Sequence, residues 1–246
     1  DSGNNVFTFC SNARYLLVHR NPTSLLLYYE IMKIFLDTAD TQQIQDGYNT
    51  GLIDGITTNP TLIMKSGRDP EEVYQELIRA GIPDISMEVV GSAAEMALEG
   101  ARLIKKFGKD QTTIKVPCTP DGLWVCKQLS KDNIKVNVTL IFSVSQAILS
   151  AKAGARYISP FVGRVDDQRF GGCNLIKRIR EVLPYDMCEI LSASIRSVGD
   201  VEHSFAQGAD IVTMPPSIFE KMYGHVLTDV GIEIFEKDYA NVVSKQ

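Results

Sequence analysis

The chain is poor in the residues that usually hold metals and disulfides. Its 246 residues include three histidines, His19, His203 and His225, none in HExxH or His-x-His spacing and none beside a cysteine pair. Ordinary zinc sites need such spacings. The five cysteines, Cys10, Cys118, Cys126, Cys173 and Cys188, form no CxxC pair. An odd number in a chain of this length is not a disulfide framework, so they read as small buried hydrophobes in a reducing compartment. GxxxxGK[ST], GxGxxG and GxSxG are all missing, which argues against the usual nucleotide loops and the nucleophile elbow. No metal and no nucleotide cofactor are expected. No apolar run reaches about 18 residues, so no membrane span is expected either. The formal charge is −5, which gives no general attraction to nucleic acid or to an anionic membrane.

What is present is a globular composition, 44% apolar and 22% charged, long enough to bury a core without covalent staples. Residues 1–31 mix Asn, Ser, Arg and Phe before Leu25-Leu26-Leu27-Tyr28-Tyr29, and read as an extension outside the fold, poorly ordered, with a targeting peptide as the other reading. From Met32 onward, β-branched runs alternate with amphipathic stretches. Strands are expected at Lys33–Asp37, Gly55–Asn59, Ile85–Val90, Thr113–Pro117, Lys135–Leu140, Tyr157–Val162, Glu189–Ser194 and Asp210–Met214, with helices between them and a last one near Asp229–Val243. Asp69-Pro70 reads as an N-cap followed by proline at the first helical position, and Ser143 with Gln146 as a capping box. Gly81, Gly108, Gly154 and Gly208 end helices. Eight strands alternating with helices imply parallel pairing, and the closed solution is an α/β fold of the (β/α)8 TIM-barrel kind over residues 32–246, as one domain. An open doubly wound sheet is the alternative, but its glycine-rich phosphate loop is missing.

A barrel places functional residues at the C-terminal strand ends. There the chain carries Asp37, Asn59, Glu88, Lys115, Asn137 with Thr139, Ser159 before Arg164, and Ser192 and Ser194 before Arg196. Lys115 stands out, in Thr112-Thr113-Ile114-Lys115-Val116-Pro117. Burying an ammonium group disfavours its charged form, and the neutral amine is the nucleophile that condenses with a ketone. Lys115 snorkelling from a strand end, or a structural Lys115–Glu88 ion pair, are the plainer alternatives. On the chemical reading Lys115 attacks a ketose carbonyl. Asp37 takes the proton of the hydroxyl on the carbon released as aldehyde. Glu88 moves protons through a water held with Thr139. Asn59 and Asn137 would bind sugar hydroxyls, and Arg164 and Arg196, with Ser194 and Ser159, a phosphate. Alternation puts Asn137 with Thr139, and Ser192 with Ser194, on common faces.

These residues sit in runs that resemble the transaldolase family, in its short subfamily that includes fructose-6-phosphate aldolases. The runs are Phe35-Leu36-Asp37-Thr38-Ala39-Asp40, Gly55-Ile56-Thr57-Thr58-Asn59-Pro60-Thr61, Ile114-Lys115-Val116-Pro117, Asn137-Val138-Thr139-Leu140-Ile141-Phe142-Ser143 and Ile158-Ser159-Pro160-Phe161-Val162-Gly163-Arg164. The resemblance implies a Schiff-base barrel enzyme with Lys115 as the covalent lysine. It also implies Asp37, Asn59, Glu88, Asn137, Thr139, Ser159, Arg164, Ser194 and Arg196 as site residues. Glu88 and Phe161 look like the transaldolase type, because aldolase-type members tend to carry Gln and Tyr there. Ile195 departs from a common Phe. The implied reaction moves a dihydroxyacetone unit from sedoheptulose 7-phosphate to glyceraldehyde 3-phosphate, in the cytoplasm, by a homo-oligomer in which the last helix packs on a neighbour. That helix's Ile232, Phe235, Tyr239 and Val243 would equally suit packing on its own barrel. The rival readings are a fructose-6-phosphate aldolase and a sugar-phosphate-binding barrel without turnover.

Overall fold

The structure, a computed structural model, describes residues 32–243. The expected extension over 1–31 lies outside the described residues. Eight strands form a closed barrel in chain order: β1 (Lys33–Asp37), β2 (Gly55–Thr57), β3 (Ile85–Glu88), β4 (Thr112–Pro117), β5 (Lys135–Ile141), β6 (Tyr157–Pro160), β7 (Glu189–Ser192) and β8 (Ile211–Met214). Each pairs in parallel with its neighbours, and β1 closes on β8. This is a (β/α)8 barrel, as expected. The helices are α1 (Thr41–Asn49), α2 (Pro60–Ser66), α3 (Pro70–Arg79), α4 (Ala93–Phe107), α5 (Pro120–Lys131), α6 (Val144–Ala153), α7 (Val162–Asp167), α8 (Gly172–Val182), α9 (Val198–Ala206), α10 (Pro216–Lys221) and α11 (Val226–Val243).

Local chemistry explains most boundaries. Asp69 accepts from Glu71 N at 2.8 Å and Glu72 N at 3.2 Å, with Pro70 opening α3. Ser143 accepts from Gln146 N at 3.2 Å, but the expected box is not closed as drawn: the Gln146 Oε1 takes the N–H of Phe142, at 2.9 Å, rather than that of Ser143. Two helices were not expected. Asn59 leaves β2 and caps α2 instead, its Oδ1 accepting from Leu62 N at 3.0 Å ahead of Pro60. The strand expected to run to Val162 stops at Pro160, and α7 begins directly after Phe161. Likewise β7 stops at Ser192, leaving one isolated bridge between Phe161 and Ala193.

Apolar burial falls in two places. The larger shell lies between the barrel and its helices, where Leu36, Ile56, Met87, Ile114, Val138, Ile158 and Val212 are fully buried or nearly so. A smaller cluster of Phe35, Tyr157, Leu191, Ala193 and Ile211 fills the barrel itself, with Phe161 packed on it. Phe35 meets Tyr157 edge-on at 6.1 Å. Gly55 makes room for it, since a Cβ there would lie 2.6 Å from the Phe35 ring. At the N-terminal strand ends, Asp84 accepts from Lys135 at 2.7 Å, Tyr157 at 2.9 Å and Thr113 at 2.8 Å, and Glu189 pairs with Lys33 and Arg156. Bonded polar groups therefore close that end, and the C-terminal end is left for a site.

Candidate active site

The parallel register lines up Glu88 with Lys115 and Lys115 with Asn137 across β3, β4 and β5. Their side chains share the barrel interior. Lys115 is 5% exposed. Its Nζ lies 3.0 Å from Glu88 Oε2 and donates to the Thr58 carbonyl at 3.0 Å. The ion pair anticipated as a plainer alternative therefore exists, and it sits on the wall of a cavity.

That cavity, of about 430 Å³, opens at the C-terminal ends of the strands. It is lined by nine of the eleven expected residues: Asp37, Asn59, Glu88, Lys115, Thr139, Ser159, Phe161, Arg164 and Ser194. The other two lie just outside it. Asn137 is fully buried beneath the floor, donating to Ser86 Oγ at 3.3 Å and accepting from Ser159 Oγ at 2.6 Å. Arg196 stands beside the mouth, where its guanidinium is held by Asp167 at the end of α7, one of the two bonds being 2.7 Å. That pairing keeps the Asp167 carboxyl below its ordinary range.

Burial pushes the Asp37 carboxyl upward, against the pull of Lys115 and of a hydrogen bond from Thr57, while Glu88 adds repulsion. Thr57 Oγ1 donates to Asp37 Oδ1 at 2.8 Å. Asn59 lines the cavity while its oxygen serves α2, so its amide N–H2 is the group left to donate there. The Thr139 hydroxyl is buried with no protein partner and borders the cavity. Such a group is a ready hydrogen-bonding site. On the rim, Arg164 lies over the Phe161 ring at 5.0 Å, and Phe161 meets Phe142 edge-on at 5.8 Å.

Two departures from regular strand geometry shape the walls. Between Val138 and Ile141, β5 carries one more residue than β6, and Leu140 takes φ 59° there. Ser194 takes φ 61°. Strict alternation placed Ser192 and Ser194 on one face, and the structure corrects this. Ser192 points out, its Oγ 2.8 Å from Ser204 Oγ on α9, while Leu191 and Ala193 line the cavity. The left-handed backbone at Ser194 shifts the parity and brings that hydroxyl inward. Gly163 packs against this turn so closely that a Cβ would fall 2.1 Å from the Ser194 carbonyl oxygen and 2.9 Å from Arg196 Nε.

Sequence reasoning passed over Thr57 and Thr213, which also line the cavity. Thr57 is the register partner of Asp37, and that pairing would have pointed to it. Among the described residues no group of three or more His, Cys, Asp or Glu side chains converges as a metal site. Among them, too, no helix is long and apolar enough to cross a membrane.

Fold and cavity together define a (β/α)8 barrel whose C-terminal mouth holds a buried lysine, two carboxylates and the polar side chains of Asn59, Thr139, Ser159, Arg164 and Ser194. Residues 34–245 match the family described as Transaldolase/Fructose-6-phosphate aldolase, and the chain belongs to that family. Curated relatives agree along nearly their whole length. A "Probable transaldolase" of Paracoccus denitrificans (strain Pd 1222) is 50% identical over 217 residues, 87% of this chain and 99% of that protein. One from Caulobacter vibrioides (strain NA1000 / CB15N) is 49% identical over 215 residues, covering 85% and 97%. One from Nitrosopumilus maritimus (strain SCM1) is 44% identical over 214 residues, covering 86% and 96%.

Proposed function

We propose that the chain is a transaldolase that carries a dihydroxyacetone unit on Lys115 from sedoheptulose 7-phosphate to glyceraldehyde 3-phosphate. The observation that carries this is Lys115 Nζ held on the cavity wall, 3.0 Å from Glu88 Oε2. At that distance Glu88 can take an ammonium proton, leaving a neutral amine and a carboxylic acid, and neither charge then stays desolvated. The amine attacks the ketose C2 carbonyl, and the Glu88 proton goes to the new alkoxide. A second proton moves from nitrogen through Glu88 to that hydroxyl, which leaves as water, and the imine forms. With the imine protonated, Asp37 accepts the proton of the C4 hydroxyl. The C3–C4 bond breaks, the aldehyde departs, and the electron pair moves to the iminium as an enamine. An acceptor aldehyde then reverses the sequence. Asn59 and Ser159 suit sugar hydroxyls, Thr139 the carbinolamine, and Arg164 with Ser194 the phosphate at the rim. Arg196 joins them if the phosphate displaces Asp167 from its fork.

Phe161 favours transfer over hydrolytic release, because its ring offers no hydroxyl to protonate the enamine carbon. Incubation with fructose 6-phosphate and borohydride, followed by peptide mapping, should find the reduced three-carbon adduct on Lys115. A binder without turnover gives no adduct, and an aldolase releases free dihydroxyacetone without an acceptor. We also assign a homo-oligomer built through α11. No residue of this helix is buried against its own barrel, and Phe235 and Tyr239 are 74% and 73% exposed. Light scattering that shows only monomer at micromolar concentration would refute this.

A further inference from the structure

We propose that Thr213, acting through Thr57, is a positioning residue for Asp37, so that the three side chains form one hydrogen-bonded unit that keeps the carboxylate ready to accept a proton. The inference deepens the proposed function, since it rests on Asp37 as the base of bond cleavage. Thr57 Oγ1 lies 2.8 Å from Asp37 Oδ1 and 2.7 Å from Thr213 Oγ1. A hydroxyl has one proton to give. Ionised Asp37 can only accept, so the Thr57 proton points at the carboxylate. The contact between the threonines then requires Thr213 to donate to Thr57. The direction of both hydroxyls is thereby set by one charge.

The placement follows from register. Asp37 pairs with Thr57 across β1 and β2, and Phe35 pairs with Thr213 across β1 and β8. Thr213 thus stands one layer below Asp37, on the strand at its other side. Both threonines are nearly sealed from solvent, at 2% and 3% exposure. Consecutive hydrogen bonds polarise one another in such a place, so the donation from Thr213 strengthens the one that Asp37 receives. The charged groups facing Asp37 are Lys115 on β4, which favours its ionised form, and Glu88 on β3, which opposes it. Arg164 lines the same cavity from α7. Substitution at position 213 leaves all three in place. A valine there would have the shape of threonine without its hydroxyl.

The test is a titration of the Asp37 carboxyl by carbon-13 NMR in the unliganded full chain, with Asp37→Asn to assign the signal. Thr213→Val should raise the Asp37 midpoint by about 0.3 pH unit, and Thr57→Val by about 1 unit or more. Thr213→Ser, which keeps the hydroxyl, should restore it. The acid limb of the transfer rate should move by the same amount. A midpoint unmoved in Thr213→Val overturns the inference, even if activity falls, because packing alone would then account for the threonine. Should that variant not fold, Thr213→Ala carries the same measurement. Failure of borohydride to trap wild-type Lys115 would remove the reading beneath the inference, while the titration would still report whether the three side chains act as a unit.

Discussion

Replacing Lys115 by methionine separates catalysis from folding. The substitution keeps most of the side-chain volume and removes the ammonium. It leaves Glu88, whose side chain is 13% exposed, without its partner 3.0 Å away, and deprives the Thr58 carbonyl of a donor. Breaking a buried pair from one side costs about 3–5 kcal/mol, and the opening of Glu88 onto the cavity favours the lower figure, about 3 kcal/mol. For a domain of this size that lowers Tm by roughly 6–12 °C. The double variant Lys115→Met/Glu88→Leu removes both charges and should recover most of the loss, because no unpaired carboxylate remains. Transfer activity should fall by about 10⁴-fold or more in both, with no borohydride adduct. Calorimetry, far-UV circular dichroism and a coupled transfer assay read these effects. A single variant that keeps more than about 1% of wild-type transfer would refute the Schiff-base assignment. A double variant no more stable than the single one would refute the electrostatic account of the pair.

Three further outcomes are expected. Asp37→Asn should abolish transfer while trapping at Lys115 persists, since in the proposed mechanism imine formation does not need Asp37. Because folding raises the Asp37 carboxyl above its ordinary value of 3.8, the wild type binds that proton more tightly when folded. The corresponding stability is fully present below that value and is lost as pH rises through the folded midpoint, so Asp37→Asn should be the more stable protein at neutral pH and show no advantage in acid. Thermal melts across pH would measure this. Phe161→Tyr supplies a phenol at the cavity wall where the proposed enamine would form, and should raise free dihydroxyacetone release relative to transfer, assayed with and without acceptor. Gly163→Ala drives a Cβ to within 2.1 Å of the Ser194 carbonyl oxygen, so backbone must move. About 1–3 kcal/mol of stability should be lost, and KM for phosphorylated donors should rise more than kcat falls, because Ser194 and Arg196 are displaced.

Much of the lining of the candidate cavity was readable from residue order. Asp37, Glu88, Lys115 and Thr139 lie near the ends of expected strands, and a barrel gathers such residues at one mouth whatever the details of packing. The shape of the walls was not. Asn59 and Phe161 were read as strand residues, yet each is the last residue before a short helix, and Asn59 uses half of its amide to cap one. An Asn-Pro pair carries that signal locally. Ser192 and Ser194 could not be told apart by a period of two, because one residue at positive φ breaks the period. The pairing of Arg196 with Asp167 was equally hidden, since the two lie 29 residues apart in the chain.

Local rules therefore carry the architecture: β-branched runs, caps and glycines recur at a βα rhythm, and each is a short-range preference that adds up along the chain. The chemistry of the mouth depends on contacts between strands distant in sequence. Lys115 meets Glu88 through register, and Thr213 reaches Asp37 through Thr57 only after β8 has closed on β1. Closure is a property of all eight strands at once, which is why no window of residues displays it.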